Sequence, residues 1–257
     1  MSRSYDDVGD VVHRFSNRAD DYDRYRPSYP PAAIDAILVD LAEPANLRIL
    51  DVGAGTGIAT RLLVDRGARV IGIEPNGDMR DLARERNLDV RAGTATATGI
   101  TTASIDVVAS FQAFHWFADR EALAEFQRVL RPGGRVALVW NNRSQMDPFT
   151  RGYHEIIARY GDYAKVELLY LKSEQIVELL RNAGMRDLRL QAVVNRQSLD
   201  LDGLLGRVRS SSYAPREGPD YERLAAEMSA LHARFADEAD QVALIYDTEI
   251  FLGTRPA

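Results

Sequence analysis

Cysteine is absent from the 257 residues. Disulfides, thiolate nucleophiles and cysteine-held metals are excluded with it. The four histidines, His13, His115, His154 and His232, show no HxxxH-type spacing that would put two imidazoles on one helix face, so no metal site is expected. The opening stretch MSRSYDDVGD contains no apolar h-region. No uninterrupted apolar run approaches the roughly 20 residues that span a bilayer. The expectation is a soluble, cytoplasmic chain with no membrane partner. A basic tract is also missing: 32 Lys and Arg face 38 Asp and Glu, a net charge of -6. Nucleic acid is therefore not an expected partner, because neutralising phosphates takes clustered cations. What remains is an ordinary globular composition, 46% hydrophobic and 27% charged residues, long enough for one large domain or two small ones with a substantial core.

Periodicity divides the chain into two styles. Pro30 and Pro31 open a helix that carries Ile34, Ile37, Leu38 and Leu41 on one face and stops by Pro44. Residues 47–52 read as a buried strand. Ile58, Leu62 and Leu63 mark a helix that ends near Gly67, and 68–74 is a second strand. Asn76 caps the next helix, with Met79, Leu82 and Ala83 along it. Strands follow near 88–91 and at 104–111. Asp119 then caps a helix with Leu123, Phe126 and Leu130, which Arg131-Pro132-Gly133-Gly134 breaks before the strand RVALVWN. Alternating strands and helices over the first 141 residues indicate a mostly parallel α/β sheet. Beyond it, 145–170 and 199–239 read as helical, the latter broken around 214–218. A helix runs from Ser173 to Gly184, and 185–195 and the alternating 242–252 read as strands. The two helical segments are expected to form a cap inserted late in the sheet of a single domain, 1–257.

The stretch DVGAGTG, Asp51 to Gly57, places Gly53, Gly55 and Gly57 directly after the first strand. Glycine at that density serves a tight turn and close backbone approach to a ligand. A dinucleotide fold wants G-x-G-x-x-G, but Ile58 stands where its third glycine would be. An acidic residue at the end of the second strand can accept both hydroxyls of a ribose, and Glu74 closes ARVIGIE. NAD enzymes use the same device, so Glu74 alone does not choose the cofactor.

The pattern D-x-G-x-G-x-G, met by Asp51, Gly53, Gly55 and Gly57, resembles motif I of the class I S-adenosylmethionine (SAM) methyltransferases. Four further segments carry the same resemblance: the small residues Gly93-Thr94-Ala95 after the third strand, IDVVASFQAFHWF at the fourth, Leu130 to Gly134 before the fifth, and the leader FSNRADDYDRYRPSYP. Together they are similar to the methyltransferase type 11 group and its trans-aconitate-methyltransferase-like branch, over about residues 13–141. Tyr246 and Thr248 fit the branch's last strand. Thr96 to Ile100 depart from the acid and Leu-Pro pair usual after the third strand. The resemblance implies an α/β, Rossmann-like sheet of seven strands, mostly parallel with the last antiparallel, helices on both faces and a helical cap.

It also implies SAM as cofactor, S-adenosylhomocysteine as product and a small-molecule acceptor. Cofactor contacts are expected from Asp51, Gly53, Ala54, Gly55 and Gly57 at the turn, and from Glu74, Pro75 and Met79 beyond the second strand. Thr94 and Ala95 should lie near the adenine. Ser110, Phe111 and Gln112 should meet the methionine end, with Tyr22 and Arg26 folding over from the leader. Methyl transfer is an in-line displacement that needs alignment, exclusion of water and, for a protonated nucleophile, removal of a proton. His115 is the candidate base or, alternatively, a wall that orients substrate. Trp116, Trp140, Asn141, Arg143 and Tyr213 are candidate substrate contacts. The acceptor atom stays open among O, N, S and C, and the state open between monomer and homodimer. Two other readings stand beside this one: an NAD-dependent oxidoreductase, and a non-catalytic SAM-binding regulator.

Overall fold

The computed structural model describes residues 23–160, 171–211 and 213–257. Tyr22, most of the leader and the 161–170 part of the first expected cap segment lie outside the described residues. Helix α1 (Pro31–Leu38) starts on a proline whose missing N–H costs nothing in a first turn. It ends before the expected Leu41, because Val39 is extended and Asp40 turns left-handed at φ 60°. Strand β1 (Arg48–Val52), helix α2 (Ile58–Asp65), strand β2 (Arg69–Ile73), helix α3 (Gly77–Glu85) and the two-residue β3 (Val90–Arg91) follow. The Asn76 cap forms as expected: its Oδ1 accepts Met79 N at 3.0 Å.

Strand β4 (Ile105–Phe111) is almost wholly buried, which is why it reads as a continuous apolar run. Helix α4 (Arg120–Val129) is capped by Asp119, which accepts Ala122 N at 2.7 Å. Strand β5 (Leu130–Arg143) starts earlier than expected. Leu130 belongs to it and not to α4: it pairs with Ile105, and the Pro-Gly-Gly stretch bulges before pairing resumes at Val107–Arg135. Helices α5 (Pro148–Arg159) and α6 (Ser173–Asn182) lead to β6 (Arg186–Leu199), which takes Leu199 from the expected cap. Helices α7 (Leu201–Arg209) and α8 (Gly218–Phe235) then precede β7 (Val242–Thr254).

The seven strands form one sheet in the order β3-β2-β1-β4-β5-β7-β6. β7 runs antiparallel to both its neighbours; the other six are parallel to one another. The order reverses between β1 and β4, which pair through Asp51–Ala109. In open α/β sheets, ligands bind in the crevice outside the carboxyl ends of strands at such a reversal.

Side chains alternate across the sheet. On one face, Ile49, Val107, Ala137 and Val139 pack against Ile34, Ile37 and Leu63 from α1 and α2. On the other, Leu50, Val108, Leu138 and Trp140 pack against Phe126, Val129 and Leu180 from α4 and α6. A third cluster joins α5, α7 and α8 through Tyr153, Leu204, Val208, Leu224 and Met228, and reaches the sheet at Leu244 and Tyr246. These helices form the cap. Among the described residues, no helix is long and apolar enough to cross a membrane.

Phe126 is fully buried and meets Phe114 and Phe117 with ring centroids 6.3 and 6.4 Å away. Phe126→Ala should cost about 3–5 kcal/mol, read as a lowered midpoint of urea unfolding with no change in slope.

Candidate active site

The glycine turn is built by what surrounds it. Gly53 has φ 76°, and a Cβ there would stand 2.5 Å from Ala113 Cβ. Gly57 has φ 83° at the N-terminus of α2, and a Cβ there would meet Leu88 Cδ1 at 2.3 Å. Both positions combine the left-handed region with close packing, so only glycine fits. Ile73 O accepts Gly53 N at 2.8 Å and Ala54 N at 3.1 Å, tying the turn to β2.

Two buried carboxylates flank the turn. Asp51 Oδ2 accepts Thr60 Oγ1 at 2.6 Å, while its buried Oδ1 has no hydrogen-bond partner. Burial lifts the Asp51 carboxyl from 3.8 to about 7; the Thr60 bond lowers it and the neighbouring Glu74 charge raises it. Glu74 Oε2 accepts Gly55 N at 3.0 Å and its Oε1 accepts Asn76 N at 2.9 Å. Burial raises Glu74 as well, against those two amides and Arg80.

A cleft of about 700 Å³, including solvent at its mouth, opens beside the turn. It brings together Asp51, Gly53, Ala54 and Gly55 with Phe111, Gln112, Asn141, Tyr213 and Arg26 from the expected set. Gln112 holds a left-handed φ of 51°, donates its N–H to Val139 O at 2.8 Å and accepts Asn141 N on Oε1 at 2.8 Å. Asn141 is then fixed by Thr248 Oγ1 at 2.6 Å and reaches Ser28 O at 3.2 Å. The leader is strapped across this side by Asn195 Nδ2 to Ser28 O, 2.7 Å, Gln197 Nε2 to Tyr25 O, 2.9 Å, and Arg26 Nη2 to Ser210 O, 3.1 Å.

Other expected residues stand off the cleft wall. Gly57 is the helix junction, Glu74 reaches the turn through Gly55 N, a Cβ at Gly55 would stand 3.7 Å from Met79 Sδ, and Pro75 is exposed; none of the four is on the lining. Ala95 belongs to the core and Thr94 is exposed. Ser110 is buried with an unpartnered Oγ. Trp140 points to the opposite sheet face from Asn141, into the core against Phe251 and Phe114, so its expected place against a substrate is corrected by the strand's alternation. Trp116 packs against the cap cluster. His115 is buried, and its Nδ1 accepts Trp140 Nε1 at 3.3 Å. Burial, with the Arg26 charge, brings its pKa down to about 3.

The far wall is the cap. Arg207 from α7 is buried, with Nη1 2.9 Å from Ser211 Oγ and Nε 3.4 Å from Tyr246 Oη. Arg143 Nη2 donates to Tyr213 Oη at 3.2 Å. Burial raises the Tyr213 phenol, but Arg143, Arg207 and Arg26 outweigh it and bring the pKa to about 8. Sequence reasoning missed Arg207, Thr56, Tyr29, Ile58 and Ala59 on the lining. The signal for Arg207 was present: it shares the buried stripe of α7 with Leu204 and Val208. Among the described residues, no group of three His, Cys, Asp or Glu could hold a metal ion.

A glycine turn at the switch point of this seven-stranded sheet, with its antiparallel β7, has the architecture of class I methyltransferases. The family model described as a methyltransferase domain matches residues 50–138. A methyltransferase-like protein of Schizosaccharomyces pombe is 32% identical over 245 residues, covering 92% of this chain and 93% of that one. The chain belongs to this methyltransferase family. An uncharacterised methyltransferase of Mycobacterium tuberculosis is 43% identical over 155 residues, 60% of this chain. The chain thus spans 62% of the length of that relative. The fold is shared with phosphoethanolamine N-methyltransferase 2 of Haemonchus contortus, solved with SAM, at a TM-score of 0.62 and 17% identity over all of this chain and 61% of that one.

The Asp51 shift has a definite sign in folding. A folded-state pKa raised from 3.8 to about 7 means that the native state holds its proton longer. The stability this gives is complete below about pH 4 and lost as pH rises through about 7. Asp51→Asn should flatten that part of the ligand-free protein's stability-versus-pH curve, measured by thermal unfolding from about pH 4 to 8.

Proposed function

We propose that this cleft binds SAM and that the protein transfers its methyl group to a small molecule held under the cap. One observation carries the reading: a turn that only glycine can make faces a cleft in which Asp51 Oδ1 and Thr56 Oγ1 are buried without partners. Buried polar atoms are ordinarily satisfied. An acceptor of Asp51's kind suits the ammonium of SAM's amino-acid end, and the bare turn admits its backbone-close approach. Glu74 spends one lone pair on each of two amides and keeps others for ribose hydroxyls. Met79, Pro75, Thr94 and Ala95 are assigned to the adenine side, and Arg26 to the carboxylate.

When bound, SAM supplies an electrophilic methyl on a sulfonium sulfur whose positive charge dissipates on transfer. The chain's share is placement. Phe111, Gln112 and Asn141 form a fixed floor, and the leader strap and cap exclude water. His115 acts as a positioning residue: its imidazole is neutral at physiological pH, and its Nδ1 is engaged by Trp140. The acceptor is a small molecule, taken between the glycine turn and the cap residues Arg207 and Tyr213 that line the same cleft.

Calorimetric titration with S-adenosylhomocysteine, in parallel with NADH, tests the cofactor. Tight binding of the former that weakens at least about tenfold in Glu74→Ala is expected, since one ionic hydrogen-bonding partner is worth about 1.5–3 kcal/mol. Binding of NADH alone would make this a dinucleotide site. A protein that binds S-adenosylhomocysteine yet moves no label from SAM into any acceptor would be a regulator. For His115, the ring resonances should not titrate between about pH 5 and 8; a midpoint near 6.5 would restore it as a base.

A further inference from the structure

Of the ionisable side chains on the cleft lining, Tyr29 sets its ring edge-on against Phe111 in the core cluster beneath, and most others are committed or of the wrong kind. Arg26, Arg143 and Arg207 are cations with no proton to accept. Asp51 sits under the glycine turn, bonded to Thr60. Tyr246 accepts from Arg207 Nε at 3.4 Å and donates to Gln197 Oε1 at 3.1 Å, which occupies its hydroxyl proton. Tyr213 differs in its partners: 7% exposed on the cap wall, it accepts a hydrogen bond from Arg143 Nη2 at 3.2 Å and is hydrogen-bonded by the Ser211 hydroxyl, both of which favour its ionised form.

From these contacts we infer that Tyr213 is the proton acceptor of the reaction, a phenolate poised by Arg143, and that the methyl acceptor carries an O–H, S–H or N–H nucleophile. This rests on the methyl-transfer reading. The groups facing Tyr213 are Arg143 from β5, Arg207 from α7, Arg26 from the leader, the Ser211 hydroxyl that hydrogen-bonds it, and Tyr153 from α5. Three cations and the Ser211 hydroxyl favour the ionised form despite burial. In the step, Tyr213 Oη takes the proton of the acceptor's X–H group. The freed pair on X forms the bond to the methyl carbon as the carbon–sulfur bond breaks, its pair remaining on sulfur. Tyr213 later releases the proton to water. A carboxylate acceptor would already be ionised and would leave Tyr213 without work.

The first readout needs no acceptor. Ultraviolet difference absorbance of the whole protein, followed from about pH 6 to 11, should show one early tyrosine ionisation near pH 8, well separated from Tyr153, which burial pushes up to about 12. Tyr213→Phe should remove that step, and Arg143→Gln should move it up by about one unit or more. Arg143→Lys, which keeps the charge, guards against misfolding of the Gln variant and should move it less. The second readout is label transfer from SAM into phenols, thiols, amines and free carboxylates. Tyr213→Phe should lower kcat about 100-fold or more and abolish the rise in rate near pH 8, with S-adenosylhomocysteine affinity within about twofold. No early tyrosine step in a protein that binds S-adenosylhomocysteine would overturn this inference alone. Methylation confined to carboxylates, or an unchanged kcat in Tyr213→Phe, would overturn it as well. An early step with no S-adenosylhomocysteine binding would bring down the methyl-transfer reading, and this inference with it.

Discussion

Glu74 accepts one amide from each of two loops, Gly55 after β1 and Asn76 after β2, and so sets the spacing between the carboxyl ends of neighbouring strands. Asn76 in turn caps α3 and presents Met79 behind the turn. Losing the carboxylate would leave two amides in a buried place, each costing about 1–3 kcal/mol. The geometry of the cleft floor therefore depends on a charge that burial disfavours and that these amides retain.

The opposite wall follows a different logic. Its framework is apolar: Tyr153, Leu204, Val208, Leu224 and Met228 hold the cap together and pack on Leu244 and Tyr246 of the sheet. Within that frame sit guanidinium groups satisfied by hydroxyls, as Arg207 is by Ser211 and Tyr246. Hydroxyls satisfy the donors of a buried cation but do not neutralise it. The floor thus carries buried acid and the cap carries buried base, with the cleft between them.

Much of this was legible in the order of residues. The apolar runs of β1 and β4, the Asn76 and Asp119 caps, and the glycine turn are local signals, and each forms where local rules place it. The antiparallel β7 came through resemblance, and the reversal of strand order was not read at all, because pairing partners far apart in sequence leave no local mark. Trp140 shows the limit. Its place beside Asn141 in the sequence says nothing of which sheet face it takes until the register with β7 is known. Leu130 fails for a related reason: its helical spacing was real, but pairing with Ile105 overrode it. Arg207 was missed because a charge on an apolar stripe is ordinarily read as an error in the stripe.

The leader is held in an unusual manner. Asn141, Asn195 and Gln197 all reach its main-chain carbonyls, at Ser28 and Tyr25. Carbonyls are the same in every residue. These three bonds therefore grip the strap without reading its side chains. Side chains add to the grip at three places: Arg26 Nη2 donates to Ser210 O at 3.1 Å, the Tyr29 ring stands 4.9 Å from that of Phe111, and the Tyr25 ring lies so close to Gly206 that a Cβ there would stand 2.5 Å from it. A strap held at its carbonyls and keyed at these residues can be re-cut at its exposed positions, Arg24 and Ser28, while its path beside the cleft stays the same.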